Sequence, residues 1–194
     1  MFAGSGNDQF RVDQANGAFT DEALTIDGGN DHDTLNGGDG VDFNGAGVDE
    51  NMSLSPNGER SLLLRTQDNI RMDMNGVERL DLTALGGADT VTVNDISGTD
   101  FRRADVDLSA PTGAAEGAAD IVTVNGTEQA DNIHVKDAGA RVAVDGLQTE
   151  TVVAGGEPID QLQVNALGGD DKVDVDPAAA ALIGVAVDLG SGQN

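Results

Sequence analysis

Again and again this chain spells aspartate, any residue, apolar, any residue, apolar. The phrase runs Asp8 to Val12, Asp68 to Met72, Asp89 to Val93 and Asp120 to Val124. It returns at Asp131 to Val135, Asp160 to Val164 and Asp171 to Val175. A period of two places both apolar residues on one side, so each phrase reads as a short strand with one buried face. Gly, Asn, Asp and Ser fill the gaps and mark turns. No segment carries an amphipathic helix, and Pro177 to Ile183 forms one short turn at most. The expected class is all-β.

A longer repeat orders these strands. Glu50-Asn51-Met52-Ser53-Leu54 matches Asp131-Asn132-Ile133-His134-Val135, 81 residues on. Leu80 to Asp89 matches Leu162 to Asp171, 82 residues on. Val106-Asp107-Leu108 matches Val187-Asp188-Leu189, again 81 on. One copy covers residues 38–118 and a second, truncated copy covers 119–194. A glycine-rich stretch over 1–49 overlaps the first. Repeated short strand units point to a solenoid of stacked coils, each touching only its neighbours. A β-sandwich is the alternative, because alternating strands with glycine turns fit it too. Both ends read as cut inside a motif, so a larger parent protein is expected.

Composition narrows the partners. The chain holds 35 Asp and Glu against 10 Lys and Arg, a net charge of -25. Such a chain repels itself when compact unless cations neutralise it. Nucleic acid and anionic membrane are therefore not expected as partners. There is no cysteine, so disulfides and thiolate metal sites are excluded. The run Ala178 to Val187 is too short to span a bilayer. With no Trp or Tyr and only five Phe, the core must come from Val, Leu, Ile and Ala in thin layers.

The densest acidic region is also the richest in glycine turns. Gly28-Gly29-Asn30-Asp31-His32-Asp33-Thr34-Leu35-Asn36 is followed at once by Gly37-Gly38-Asp39-Gly40-Val41-Asp42. Both approximate a nine-residue turn in which glycines bring carbonyl oxygens together and an aspartate adds a charged one. Ca²⁺ takes six to eight oxygen ligands. The candidate ligands are the carboxylates of Asp31, Asp33, Asp39, Asp42 and Asp49, with carbonyls of Gly28, Asn30, Gly37 and Gly40. A third turn, Gly4-Ser5-Gly6-Asn7-Asp8, is a further candidate. Asp89 and Asp171 follow shortened glycine turns and are weaker candidates. The competing readings are a solvated acidic loop for the tandem and, for Asp89, Asp120, Asp131, Asp160 and Asp171, a turn aspartate that bonds nearby amides and starts a strand. An aligned ladder of such aspartates would also attract cations. The 81-residue alignment offers a rival register for the second turn, with Asp39 matching Asp120 and Val41 and Phe43 pointing inward. Two departures from the nine-residue pattern stand out: Asp31 replaces a glycine, and Asn44 occupies the apolar position.

Taken together, the tandem over residues 2 to 49 resembles the bacterial haemolysin-type calcium-binding repeats, the repeats-in-toxin family. The stretch from Gly76 to Asn194, through the phrases Ala84 to Asp95 and Ala119 to Thr127, looks like the diverged β-helical segment found beside such repeats. The resemblance implies a right-handed parallel β-helix or β-roll, with Ca²⁺ between successive turns. It also implies type I secretion and folding outside the cell or at the bacterial surface.

The function expected is thus a calcium-binding structural module of a secreted protein, with calcium ions and further repeats of the parent chain as partners. A metal-independent β-helical spacer or adhesin segment is the second reading. A carbohydrate-active β-helix is the third, which a groove of converging Asp and Arg side chains would favour. No enzyme signature is present: no nucleophile elbow, phosphate loop or HExxH. The arginines read as scattered surface partners of acids. His134 is expected outward between inward Ile133 and Val135, and His32 in a turn; neither has a zinc-site partner motif.

Overall fold

The computed structural model describes residues 40–193, and before them the backbone of three strands, β1 (Gln9–Arg11), β2 (Leu24–Thr25) and β3 (His32–Asn36). Next come β4 (Gly40–Asn44), β5 (Asn51–Asn57), β6 (Arg60–Arg65), β7 (Ile70–Asn75), β8 (Arg79–Thr83), β9 (Thr90–Val93) and β10 (Arg103–Asp107). Then follow β11 (Ile121–Asn125), β12 (Asn132–Asp137), β13 (Arg141–Asp145), β14 (Glu150–Ala154), β15 (Gln161–Asn165), β16 (Lys172–Val175) and β17 (Gly184–Asp188). The chain is all-β; among the described residues helix is limited to single 3₁₀ turns at Gln67–Asn69 and Ala179–Ala181. No helix there is long and apolar enough to cross a membrane.

The strands form two mixed sheets. One has nine strands in the order β1-β3-β7-β6-β5-β9-β11-β15-β17, the other eight in the order β16-β12-β13-β14-β10-β8-β4-β2. Antiparallel pairing is confined to two meanders, β5-β6-β7 and β12-β13-β14. From β4 onward, every other connection carries the chain from one sheet to the other. Strands β4 to β10 begin 80 to 82 residues before β11 to β17, strand for strand. Each strand's counterpart lies in the opposite sheet: β4 with β11, the first meander with the second, β8 with β15, β9 with β16, and β10 with β17. The reason is topological. One set of seven strands crosses between the sheets five times before the next set begins, and an odd number of crossings exchanges the sheets.

One buried cluster joins the sheets. Met52, Leu54, Val91, Val93, Val122, Val124, Leu162 and Val164 face it from the nine-stranded sheet. Val41, Phe43, Leu80, Leu82, Ala104, Val106, Ile133 and Val135 face it from the other. These are the apolar positions of the alternating phrases, and burying each such side chain contributes about 1.5–3 kcal/mol. At the strand ends asparagines stack as well. Asn165 Nδ2 donates to Asn125 Oδ1 and Asn125 Nδ2 to Asn94 Oδ1, each at 2.9 Å.

The segment expected as a second calcium turn runs as a strand from Gly40. Gly40 and Asp42 belong to strand β4, with Val41 and Phe43 buried on its inner side. Asp42 lies on the outer side, in register with Asp81 of β8. The rival register therefore holds, because it buries two apolar side chains that the turn would leave in solvent. Asp33 and His32, expected in the first turn, fall within strand β3, where the backbone of Asp33 is in register with Met72.

The two shortened glycine turns share one geometry. Leu85 and Leu167 both adopt left-handed backbone, at φ 77° and 71°. Gly87 and Gly169 follow at φ 119° and 129°. A Cβ on Gly87 would stand 2.4 Å from the Val48 carbonyl carbon, and one on Gly169 2.5 Å from that of Gln129. Only glycine lets these turns press against the neighbouring loop. The leucines carry a cost, since left-handed backbone disfavours residues with a Cβ by roughly 1–2 kcal/mol. Exposed Leu167 is the cleaner test. Leu167→Asn should stabilise the chain by roughly 0.5–1 kcal/mol, because asparagine tolerates this region. A lower urea midpoint for the variant would refute the assignment of strain.

Candidate functional site

Aspartate begins strand after strand, and parallel pairing stacks those beginnings. Asp89, Asp120 and Asp160 precede β9, β11 and β15, which are successive neighbours in the nine-stranded sheet. Glu50 precedes β5, which pairs with β9 on its other side. Each residue's amide donates to the carboxylate one strand along: Glu50 N to Asp89 Oδ1 at 2.8 Å, Asp89 N to Asp120 Oδ1 at 2.7 Å, and Asp120 N to Asp160 Oδ1 at 3.0 Å. The opposite sheet has a shorter version, with Asp131 N donating to Asp171 Oδ1 at 2.8 Å. Asp131 and Asp160 also make the local turn bonds expected of strand-starting aspartates, accepting from Thr127 N and Glu157 N, whereas the bonds to Asp89 and Asp120 come from the neighbouring strand.

The rungs differ in how their charge is met. Glu50 is fully buried and paired with Arg65, and its Oε2 also accepts from Ala46 N at 2.7 Å. Asp160 accepts at both oxygens, Oδ2 taking the amide of Glu157 at 2.7 Å. Asp131 likewise uses Oδ2 for Thr127 N at 2.7 Å. The two middle rungs are different. Asp89 and Asp120 are each 1% exposed, and their Oδ2 atoms are buried with no hydrogen-bond partner. Among the described residues neither forms an ion pair. A buried carboxylate without a counter-charge resists ionisation. Desolvation, the largest cause, raises both groups to about 7 against the opposing pull of one backbone hydrogen bond each. Neighbouring acids push the same way: Glu50, Glu116 and Asp49 on Asp89, and Glu116, Asp160 and Asp89 on Asp120.

A second line of acids lies over the glycine turns. Glu116 Oε2 accepts from Gly87 N at 3.0 Å, while its Oε1 is buried and unpartnered. Glu157 Oε2 accepts from Glu116 N and Gly117 N at 3.0 and 2.8 Å. Asp49 Oδ1 accepts from Ala88 N at 2.9 Å, so this candidate ligand is bound to the loop it faces. Three unpartnered carboxylate oxygens therefore belong to mutually close acids, Asp89, Asp120 and Glu116. Such an arrangement can hold protons or attract a cation. Among the described residues no three Asp, Glu or His side chains converge as a single metal-ligand group.

Of the other candidate ligands, Gly4, Gly6, Asp8, Gly28, Asn30, Asp31, Gly37 and Asp39 lie outside the described residues. Asp33 is described only as backbone in β3. Asp171 supports the second ladder. His134 is half-buried on the outer face, 3.7 Å from Asp174, with Ile133 and Val135 inward. Glu50, Glu116, Glu157 and Arg65 were not singled out by the sequence reading. Glu50 could have been, because it aligns with Asp131 at the 81-residue offset. Comparison with protein families, with curated proteins and with solved structures finds no match.

Proposed function

We propose that the chain is a calcium-binding structural module of a secreted bacterial protein. In this reading it is a right-handed parallel β-helix or β-roll solenoid that folds on Ca²⁺ outside the cell or at its surface. The regular exchange of the chain between two sheets supports the solenoid, with each antiparallel meander an insertion into a coil. The observation that carries the calcium reading is the pair of buried carboxylates at Asp89 and Asp120, whose Oδ2 atoms are buried with no hydrogen-bond partner. Hard oxygen donors of this kind suit Ca²⁺. Asp89 and Asp120 would each offer one carboxylate oxygen, with carbonyls and water completing the shell and Glu116 adding negative charge nearby. When bound, the ion supplies positive charge that the protein itself does not place there. The module's role is mechanical, not enzymatic, and further repeats of the parent chain are its natural neighbours. Export through a type I system suits this design, because metal binding is then folding free energy released outside. The glycine turns near Gly4 and Gly28 would add sites of the same kind.

A metal-independent spacer is the second reading. Asp131 and Asp160 favour it, since hydrogen bonds already satisfy their carboxylates. Far-UV circular dichroism in EDTA and then in millimolar calcium separates the two. The calcium module gains strand signal on adding the ion. A spectrum that is already strand-rich in EDTA and stays unchanged supports the spacer.

A further inference from the structure

Arginines pair with acids as expected, Arg60 with Asp73 and Arg79 with Asp81 among them, but three of them are not scattered. Arg79, Arg103 and Arg141 gather on the outer face of the eight-stranded sheet, three of only ten Lys and Arg in a chain of net charge -25. Two adjacent outward rows build a groove there. One aligns Thr83, Asp107, Ala154 and Arg141 across β8, β10, β14 and β13. The other aligns Asp81, Asp105 and Val152. The groove holds about 160 Å³ and is floored by Val152 and Ala154. That is below the 300–1,000 Å³ typical of drug-sized ligands and suits a single sugar ring.

Its two ends are unlike. At one end the charges are satisfied internally: Arg79 bridges Asp81 and Asp105, and Arg103 takes both oxygens of Asp105. At the other end they are open. The Arg141 guanidinium forms no hydrogen bond or ion pair among the described residues. Asp107 uses only Oδ1, which accepts from Ser109 N at 2.9 Å. An open guanidinium beside an open carboxylate oxygen and the Thr83 hydroxyl asks for a ligand that carries one carboxylate and several hydroxyls. Arginine matches a carboxylate through two parallel N–H donors. Sugar hydroxyls donate to Asp107, and the ring's C–H face covers the apolar floor. A phosphate dianion would meet three carboxylates, and a neutral sugar would leave Arg141 unpaired.

We propose that this groove binds one residue of an acidic sugar, its carboxylate on Arg141 and its hydroxyls on Asp107 and Thr83. The site is separate from the carboxylate ladder and does not depend on the calcium reading. The test is a calorimetric or ligand-observed NMR titration of the full chain with sodium D-glucuronate, D-glucose and sodium phosphate, in calcium buffer and again in EDTA wherever dichroism shows the fold intact. Glucuronate should bind saturably in the millimolar range, about ten-fold tighter than glucose, a margin of about 1.4 kcal/mol. Arg141→Gln should abolish that preference while its dichroism matches the parent. Asp107→Asn should weaken both sugars. Absence of saturable glucuronate binding, an unchanged preference in Arg141→Gln, or phosphate binding as tightly as glucuronate would each overturn the proposal. Loss of calcium response with glucuronate binding retained would count against the calcium module and leave the groove standing.

Discussion

Arg65→Leu should cost about 3–5 kcal/mol of stability, the penalty for leaving a buried charge without its partner. The side chain of Glu50 is 0% exposed and that of Arg65 8%. Arg65 reaches the same Glu50 oxygen through Nε and Nη2, and Asp68 lies 3.5 Å from Nη1. Removing the guanidinium leaves the buried Glu50 carboxylate without its counter-charge at the head of a row of acids, with Asp89 next in line. Arg65→Lys should recover only part of the loss, because a point charge cannot reproduce the planar contact. The double variant Arg65→Leu with Glu50→Leu should recover more, since neither charge remains to be buried. Urea denaturation of the three variants decides it. A loss below about 1 kcal/mol for Arg65→Leu, the range of an exposed pair, would show that the pair is solvated.

The second large effect is on pH dependence without divalent ions. Asp89 and Asp120 rise from 3.8 to about 7 on folding. The folded state therefore binds more protons than the unfolded one between these values, and stability falls as pH rises through that window. Their contribution is fully present below about 3.8 and lost above about 7. Each group should account for on the order of 4 kcal/mol across that window. Ionisation of the many other acids adds repulsion in the same direction. In EDTA the chain should be more stable at pH 5 than at pH 8. Asp89→Asn with Asp120→Asn should flatten the profile, because amides hold the same rungs without charge. A parent chain equally stable at both values would show that these carboxylates are ionised without penalty.

Much of the fold is legible in the sequence, and the misses have physical causes. The phrase at Asp89, Asp120 and Asp160 announces both the strands and the ladder, since alternation fixes the buried face and parallel stacking aligns what precedes it. The meanders are harder to read. Strands β6 and β13 lack the leading aspartate, and Ser61-Leu62-Leu63-Leu64 runs apolar without alternating. The glycine-aspartate spelling of Gly37 to Asp42 fits a turn and a strand start equally well; only the burial of Val41 and Phe43 decides. Arg79, Asp107 and Arg141 are far apart in sequence, and no local pattern shows that three strand registers bring them onto one face. Glu116 is hidden for a similar reason: it acts from a long turn on a glycine loop 29 residues earlier.

The most direct test of the ladder as a cation-dependent element is thermal melting at pH 7.5 in EDTA, in calcium and in magnesium. Calcium at one hundred times its dissociation constant should add about 2.7 kcal/mol per site and raise the midpoint by several degrees. Magnesium should do much less, because it demands a tight octahedron and releases water reluctantly. The Asp89→Asn, Asp120→Asn double variant should melt higher than the parent in EDTA and gain less from calcium. Identical melting of the parent in all three buffers would contradict the cation-dependent ladder and favour the metal-independent spacer.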